Sequence, residues 1–444
     1  PREFSILKPE MFSLGQEDKY YENLSRLDGL LRVQVLTSMG DIAHDDKLWL
    51  KVRDEDVTKE SLLRYVTVPM LVGQFRRMAH GGARLTPFNF SFQQSEEAVE
   101  GKSPIVLDFF VTPEGNPPTN IHVIIGRNGV GKSRLLGLMR NALIAPGPLA
   151  HKSGEFIWKT LEGFTFANLV EVSFSAFDNS DLPVVATTPD RGLNYTYVGL
   201  RSSSGSARGR LGEPKSHGML ASEFVESLSV CQVEPRRQRW IRAVSILQGD
   251  PVFKFAGVAD WIEPKLTDDV AQDKMQKLFS RLSSGHQIVL LTLTKLVETV
   301  EERTLFLIDE PEAHLHPPLL SGFVRALSDL LVDRNGVAIM ATHSPVLLQE
   351  VPKACVWILR RVCKESKAER PSIETFGENV GILSREVFQL ELVQSGFHKL
   401  LEDAARTSAT YRQAVDKFDG QLGSEARAVL RAILLEKNPQ PDCS

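Results

Sequence analysis

The chain has 444 residues, with 52 basic against 56 acidic side chains and a formal charge of −4. It is long enough for two or three domains, and its near-balanced charge excludes a global field that would draw nucleic acid or an anionic membrane, although not a local basic patch. Cys231, Cys355, Cys363 and Cys443 are scattered with no C-x-x-C pair, which excludes the usual disulfide scaffold or zinc ribbon and leads us to expect a reducing compartment, the cytoplasm. The stretch PREFSILKPE lacks a secretory core, and no run of about 18 uninterrupted apolar residues exists that could cross a bilayer, so no membrane role is expected of the chain itself.

In chain order, residues 1–84 alternate apolar and charged positions at helical spacing and read as a helical lobe. From residue 85 the rhythm changes: FNFSF, PIVLDFFV and IHVIIG read as strands, separated by turn residues in TPEGNPPTN. Residues 201–218, rich in Gly and Ser, read as a flexible insertion, and 219–282 as helical. A buried helix is expected over Ile288–Val297, then a strand TLFLID, a helix LLSGFVRALSDLLV, a strand GVAIMAT and a strand ACVWILRR. Residues 363–444 read as helical. The alternation implies an α/β class with a largely parallel sheet, its halves at 85–200 and 283–362 separated by the 201–282 insertion.

The segment IHVIIGRNGVGKSRLLGLM places Gly126-x-x-x-x-Gly131-Lys132-Ser133 between an apolar strand and an amphipathic helix, the context a P-loop requires. Backbone N–H groups of Gly126, Arg127, Asn128, Gly129, Val130, Gly131 and the start of the helix through Arg134 would surround ATP phosphates. Lys132 would neutralise the β and γ oxygens, and the Ser133 hydroxyl would ligate Mg²⁺. In TLFLIDEPEAHLHP, Asp309 and Glu310 end a strand where a parallel sheet presents ligands: Asp309 is the expected Mg²⁺ holder and Glu310 the group that polarises the attacking water. His343 in ATHSP follows another buried strand and should reach the γ-phosphate or that water. With Glu310 and Lys132 it completes the candidate catalytic set. His314 and His316 lack evident third and fourth ligands and read as a packed turn or subunit contact rather than a metal site.

The order P-loop, LSSGHQ, LFLIDEP, ATHS resembles the ATP-binding-cassette class of ATPases. The resemblance implies that Ser283 touches the γ-phosphate held by the opposite subunit's P-loop, with Gly285 allowing close approach, so that two chains sandwich two nucleotides as a homodimer or higher homo-oligomer. The chain departs from the common signature in having Ser284 for glycine and His286 before Gln287. It also lacks the glutamine usual after the strand that follows the P-loop helix, where Ser175 or Asp178 are the substitutes at hand. DEPEAHLHP and ATHSP resemble the soluble branch holding the SMC proteins, RecF and the overcoming-lysogenization-defect nucleases.

Only about 150 residues separate Lys132 from Ser283, without sustained heptads, which excludes a long coiled-coil arm. After Pro345 there is no Asp-x-Asp, and Asp54 and Asp56 lie in a polar stretch, so a built-in nuclease is not expected. The layout is similar to stand-alone ATPases of bacterial anti-phage defence, most like the ATPase subunit of Septu-type pairs, which implies an effector partner such as an HNH nuclease. Arg236, Arg237, Arg239 and Arg242 around Trp240 offer a possible DNA contact, but a solvated helix face is the simpler reading. The expected function is therefore an ATPase that dimerises around ATP and controls an effector in defence. A RecF-like DNA clamp and a nucleotide-gated scaffold with little turnover are the alternatives.

Overall fold

The computed structural model describes residues 7–437 apart from 9, 26, 82–84, 100–102, 114, 146–147, 160–165, 175–192, 202–212, 234–235, 264, 267, 363–364 and 389–395. Two compact units divide the chain, Pro1–Gly377 and Glu378–Ser444.

In the first unit a three-stranded antiparallel sheet is ordered β2-β1-β4, from β1 (Phe88–Gln94), β2 (Val106–Val111) and β4 (Gly154–Trp158). The alternation of FNFSF turns Phe88, Phe90 and Phe92 inward, and Phe90 meets Phe109, Trp158 and Phe166 with ring centroids 4.9–5.3 Å apart. Beside it stands a seven-stranded sheet ordered β10-β9-β3-β8-β7-β5-β6. Its strands are β3 (Ile121–Gly126), β5 (Asn168–Ser173), β6 (Asn194–Gly199), β7 (Thr304–Asp309), β8 (Val337–Thr342), β9 (Val356–Val362) and β10 (Glu365–Glu369). All pair in parallel except β10 on β9. Every residue of β3 and β8 is buried, as in a parallel sheet covered on both faces. The fold is of the α/β class, with a mixed, largely parallel main sheet.

Helix Ser284–Thr299 is buried at most of its positions because a helical layer covers it. In that layer are His217–Cys231, Arg236–Leu247 and Asp269–Ser280. Phe224 stacks on Phe279 at 4.5 Å, and the Trp240 indole donates to the Thr294 hydroxyl at 2.9 Å. The amino-terminal lobe has its own core around Tyr21, Leu36, Trp49, Leu71 and Phe75. It is tied to the head by Arg77, whose guanidinium lies 2.8 Å from the buried Glu302 carboxylate.

The structure departs from the sequence reading in one place that moves a boundary. Residues 365–369 form the edge strand β10, although 363–444 reads as helical; ESKAE has neither the apolar alternation nor the β-branched residues that mark a strand, because an edge position needs neither. The second unit begins at Glu378 and contains helices Val380–Phe388, Phe397–Arg406, Tyr411–Asp416 and Ser424–Lys437, with Leu401, Ala405, Ala414, Leu430 and Leu434 in its core. The insertion expected to be flexible falls largely on 202–212, outside the described residues; beyond it Lys215 pairs with Glu223 at 2.7 Å. Among the described residues no helix is long and apolar enough to cross a membrane.

Candidate functional site

Strand order assembles the site. The carboxyl ends of β3, β8 and β7 are adjacent, and the register pairs Ile125 with Thr342 and Ala341 with Asp309. Past those pairs Gly126 comes level with His343 and Glu310 with Thr342, so Gly126, His343 and Glu310 emerge along one edge within a residue of one another. They open onto a cavity of about 570 Å³ whose lining includes Asn128, Gly131, Lys132, Ser133, Glu310 and His343.

Two glycines shape the loop. Gly129 and Gly131 have φ of +77° and +101°, a region costly to side chains, and a Cβ at either would meet nothing within 4 Å. The space beside them is open to a ligand, so conformation, rather than crowding, requires glycine there. Gly126 is the opposite case: a Cβ there would come within 2.4 Å of the Leu359 carbonyl, so glycine is what lets β3 and β9 approach. Arg134 lines the cavity while donating to the Ala98 carbonyl at 2.6 Å.

Lys132 is buried, with its ammonium donating to the carbonyls of Gly126 at 3.1 Å and Arg127 at 3.3 Å and meeting His343 Nε2 at 2.7 Å. Burial lowers the lysine pKa, and the charges of Asp309, Glu310 and Glu312 oppose that shift. The His343 imidazole is lowered as well, first by burial and then by the Lys132 charge. A neutral imidazole accepting from an ammonium satisfies both directions. Glu310 Oε1 lies 3.6 Å from His343 Nε2. Glu310 holds a left-handed backbone, φ +48°, an unusual conformation for a side-chain-bearing residue, and its N–H donates to the Ala341 carbonyl at 2.9 Å.

Glu312 is a residue that sequence reasoning missed. Its Oε1 accepts the His343 backbone N–H at 2.6 Å, locking the end of β8 to the turn after β7. Its position two residues past Glu310 was the only available signal. Ser173 was also missed. It ends β5 opposite Asp309, and its buried hydroxyl has no hydrogen-bond partner among the described residues. Ser175 and Asp178, the expected stand-ins for the missing glutamine, lie outside the described residues.

The donor set fits a nucleotide with a hard cation: an open cradle with positive φ, a lysine within it, and oxygen donors from Ser133 and Glu310 in its lining; Asp309 is not in that lining, although its charge acts on Lys132. Among the described residues no group of three or more His, Cys, Asp or Glu could hold a metal on its own.

Ser283 and Gly285 are absent from the lining of that cavity. Ser283 caps helix Ser284–Thr299 by backbone conformation alone, and its exposed hydroxyl lies 2.6 Å from His286 Nδ1. A Cβ on Gly285 would stand 2.6 Å from the His314 carbonyl, so the close approach this glycine permits in the chain is to the turn after β7; the sequence reading had assigned it to phosphate. Gln287 also faces inward, donating to the carbonyls of Leu282 at 2.8 Å and Ser280 at 3.3 Å. His316 Nε2 lies 3.6 Å from Asp250.

The arginine stretch is engaged within the fold. Arg236 donates to the Glu298 carbonyl, Arg237 pairs with Glu263, Arg242 with Asp329 and Asp333, and burial pushes Arg239 down to about 9. Trp240 is buried, so its ring offers no stacking surface.

Residues 261–349 match a family model described as "AAA domain, putative AbiEii toxin, Type IV TA system", a span that includes Ser283, Asp309, Glu310 and His343 but not the P-loop. Protein ea59 of Escherichia phage lambda is 40% identical over 456 residues, covering 98% of this chain and 85% of that protein. Among solved structures, an inward-facing "putative metal-chelate type ABC transporter" aligns at 15% identity and a TM-score of 0.34, covering 68% of this chain and 90% of that one. The ADP form of the ABC-transporter cassette MJ1267 aligns at 12% and 0.34, covering 70% and 98%.

Proposed function

The chain belongs to the family of protein ea59 of phage lambda, and from the P-loop site we propose an ATPase in which two copies close on ATP and the closed pair controls a separate effector protein. The observation that carries the reading is a division of labour. Lys132, Ser133, Glu310 and His343 share one cavity, while Ser283 is an exposed residue outside that cavity's lining with its hydroxyl beside His286.

Each side chain then has a task. Lys132 exchanges the Gly126 and Arg127 carbonyls for the β and γ oxygens of ATP. Ser133 and Asp309 would hold Mg²⁺, which when bound supplies charge neutralisation at those oxygens. Glu310 polarises the attacking water as base. His343, its main chain fixed by Glu312, presents a neutral imidazole to the γ-phosphate end. Ser283 serves the nucleotide of the other copy.

The effector reading is supported by a P-loop site in a chain that lacks a paired Asp-x-Asp after Pro345, and by a matched domain whose description names a toxin of a toxin–antitoxin system. A nuclease effector in defence against phage is the proposed setting. The DNA-clamp alternative gains no support, because Arg237 and Arg242 are ion-paired within the fold, Arg236 is bonded to the Glu298 carbonyl and Trp240 is buried.

The test is mixing. Lys132→Ala and Ser283→Ala chains should each lose about a hundred-fold or more in turnover. Combined in equal amounts, they should regain about a quarter of wild-type rate under random pairing, since a mixed pair keeps one intact composite site. No recovery on mixing, with both chains folded, would refute the two-copy site.

A further inference from the structure

The hydroxyl of Ser283 is not free to point where it likes. It lies 2.6 Å from Nδ1 of His286, whose Nε2 lies 3.1 Å from Oδ1 of Asp250, and the side chains of His286 and Asp250 are only 10% and 9% exposed. The ring is wedged edge-on against the buried Phe253, centroids 5.0 Å apart. Asp250 is itself fixed, because it also accepts the Val252 N–H at 2.8 Å as the cap of the helix Pro251–Ala256. The titratable groups facing the imidazole are Asp250 and His316, the latter's ring 6.1 Å away.

Donor and acceptor accounting decides what this chain of contacts does. An ionised Asp250 can only accept, so Nε2 of His286 carries a proton; in the neutral ring Nδ1 is then a lone pair, and Ser283 must donate its O–H to it. Phosphoryl oxygens also only accept. If Ser283 turned its proton to a phosphate while Nδ1 stayed bare, two acceptor atoms would face each other at 2.6 Å. The conflict vanishes when the ring takes one proton from solvent. Nδ1–H then donates to Ser283 Oγ, Nε2–H still donates to Asp250, and the serine proton is released to the phosphate. No heavy-atom bond is made or broken.

We propose that His286, held by Asp250, is a positioning residue that locks the Ser283 hydroxyl in the lone chain and, by taking up one proton, hands it to the γ-phosphate of a nucleotide bound by a second copy. The inference rests on the two-copy reading above. It makes closure on ATP a proton-consuming event and the imidazole the element that registers it.

The experiment combines a mutant cycle with a proton count. His286→Asn keeps an amide near the Nδ1 position, whereas His286→Gln reaches Asp250 and leaves Ser283 alone. Turnover should fall about ten- to a hundred-fold in His286→Gln with KM for ATP little changed, and less in His286→Asn. Adding His286→Gln to Ser283→Ala should cost nothing further, because the histidine acts only through the serine.

In the Glu310→Gln background, where pairs should accumulate, ATP-driven pairing measured calorimetrically in buffers of different ionisation heat should show a proton uptake that His286→Asn abolishes and His316→Gln leaves in place. Full additivity of the two losses, or the same uptake without His286, overturns the proposal. If Ser283→Ala and Lys132→Ala chains fail to complement, the two-copy reading falls and takes this inference with it. Complementation with additive losses removes the inference alone.

Discussion

Lys132 and His343 show how little of a site's chemistry one residue name contains. Both could be picked out of their motifs, but the 2.7 Å contact between them, and hence the neutral state of the imidazole, arises from strands more than 200 residues apart in sequence. The contact has a pH signature. The folded pKa of His343 lies below its ordinary value of 6.5, so between the two values the unfolded chain binds more protons than the folded one. The contribution is intact above pH 6.5 and is lost as pH falls through the folded value. Melting temperatures of wild type and His343→Gln, compared from pH 7.5 downwards, should show the wild type losing stability faster below 6.5; parallel curves would mean the ring is not held neutral. Glu312 and Asp250 carry the same lesson from the other side. Neither stands in a motif position that chemistry would nominate, and each matters because the fold sets it against a backbone N–H or a ring nitrogen.

At the scale of elements, the helix Ser284–Thr299 was legible in its apolar run, and its Ser-Ser-Gly start in the needs of a helix terminus. Its neighbours were not, so Gly285 looked like a residue opened for a ligand when its hydrogens face the His314 carbonyl. Gly285→Ala should force that turn and the helix apart, costing about 1–3 kcal/mol in denaturant unfolding. The edge strand β10 and the short return strand β4 escaped notice because their pairing partners lie elsewhere in the chain and their own patterns are weak. The tie between the amino-terminal lobe and the head was invisible for the same reason. Glu302 is buried, and burial raises its pKa against the charge of Arg77. Arg77→Ala would leave that carboxylate without its ion-pair partner, and about 3–5 kcal/mol should be lost in unfolding measurements; Glu302→Gln, which removes the charge and keeps the shape, should cost clearly less.

For the whole molecule, the cavity on the sheet edge predicts a linkage. On the proposed reading ATP with Mg²⁺ binds the folded chain and not the unfolded one, so at about a hundred times Kd it should add ~2.7 kcal/mol to stability and raise the melting temperature. Lys132→Ala should abolish the shift, while loss of Ser283 should leave the binding component in place. An unchanged shift in Lys132→Ala would mean the nucleotide sits elsewhere. The sequence by itself determined the P-loop, the acidic strand end, the histidine after β8 and the α/β class, because these are local: a glycine loop between strand and helix and a carboxylate after an apolar run work through neighbours in the chain. Only the tertiary structure decided that β3, β8 and β7 lie side by side in register, that Gly285 and Gln287 face inward, that Arg237 and Arg242 of the helical layer are already ion-paired, and that Ser283 leans on His286, which Asp250 holds. The physical reason is that hydrogen bonds and ion pairs of this kind act over only a few ångströms, and which groups come that close depends on strand order and helix packing rather than on distance along the chain.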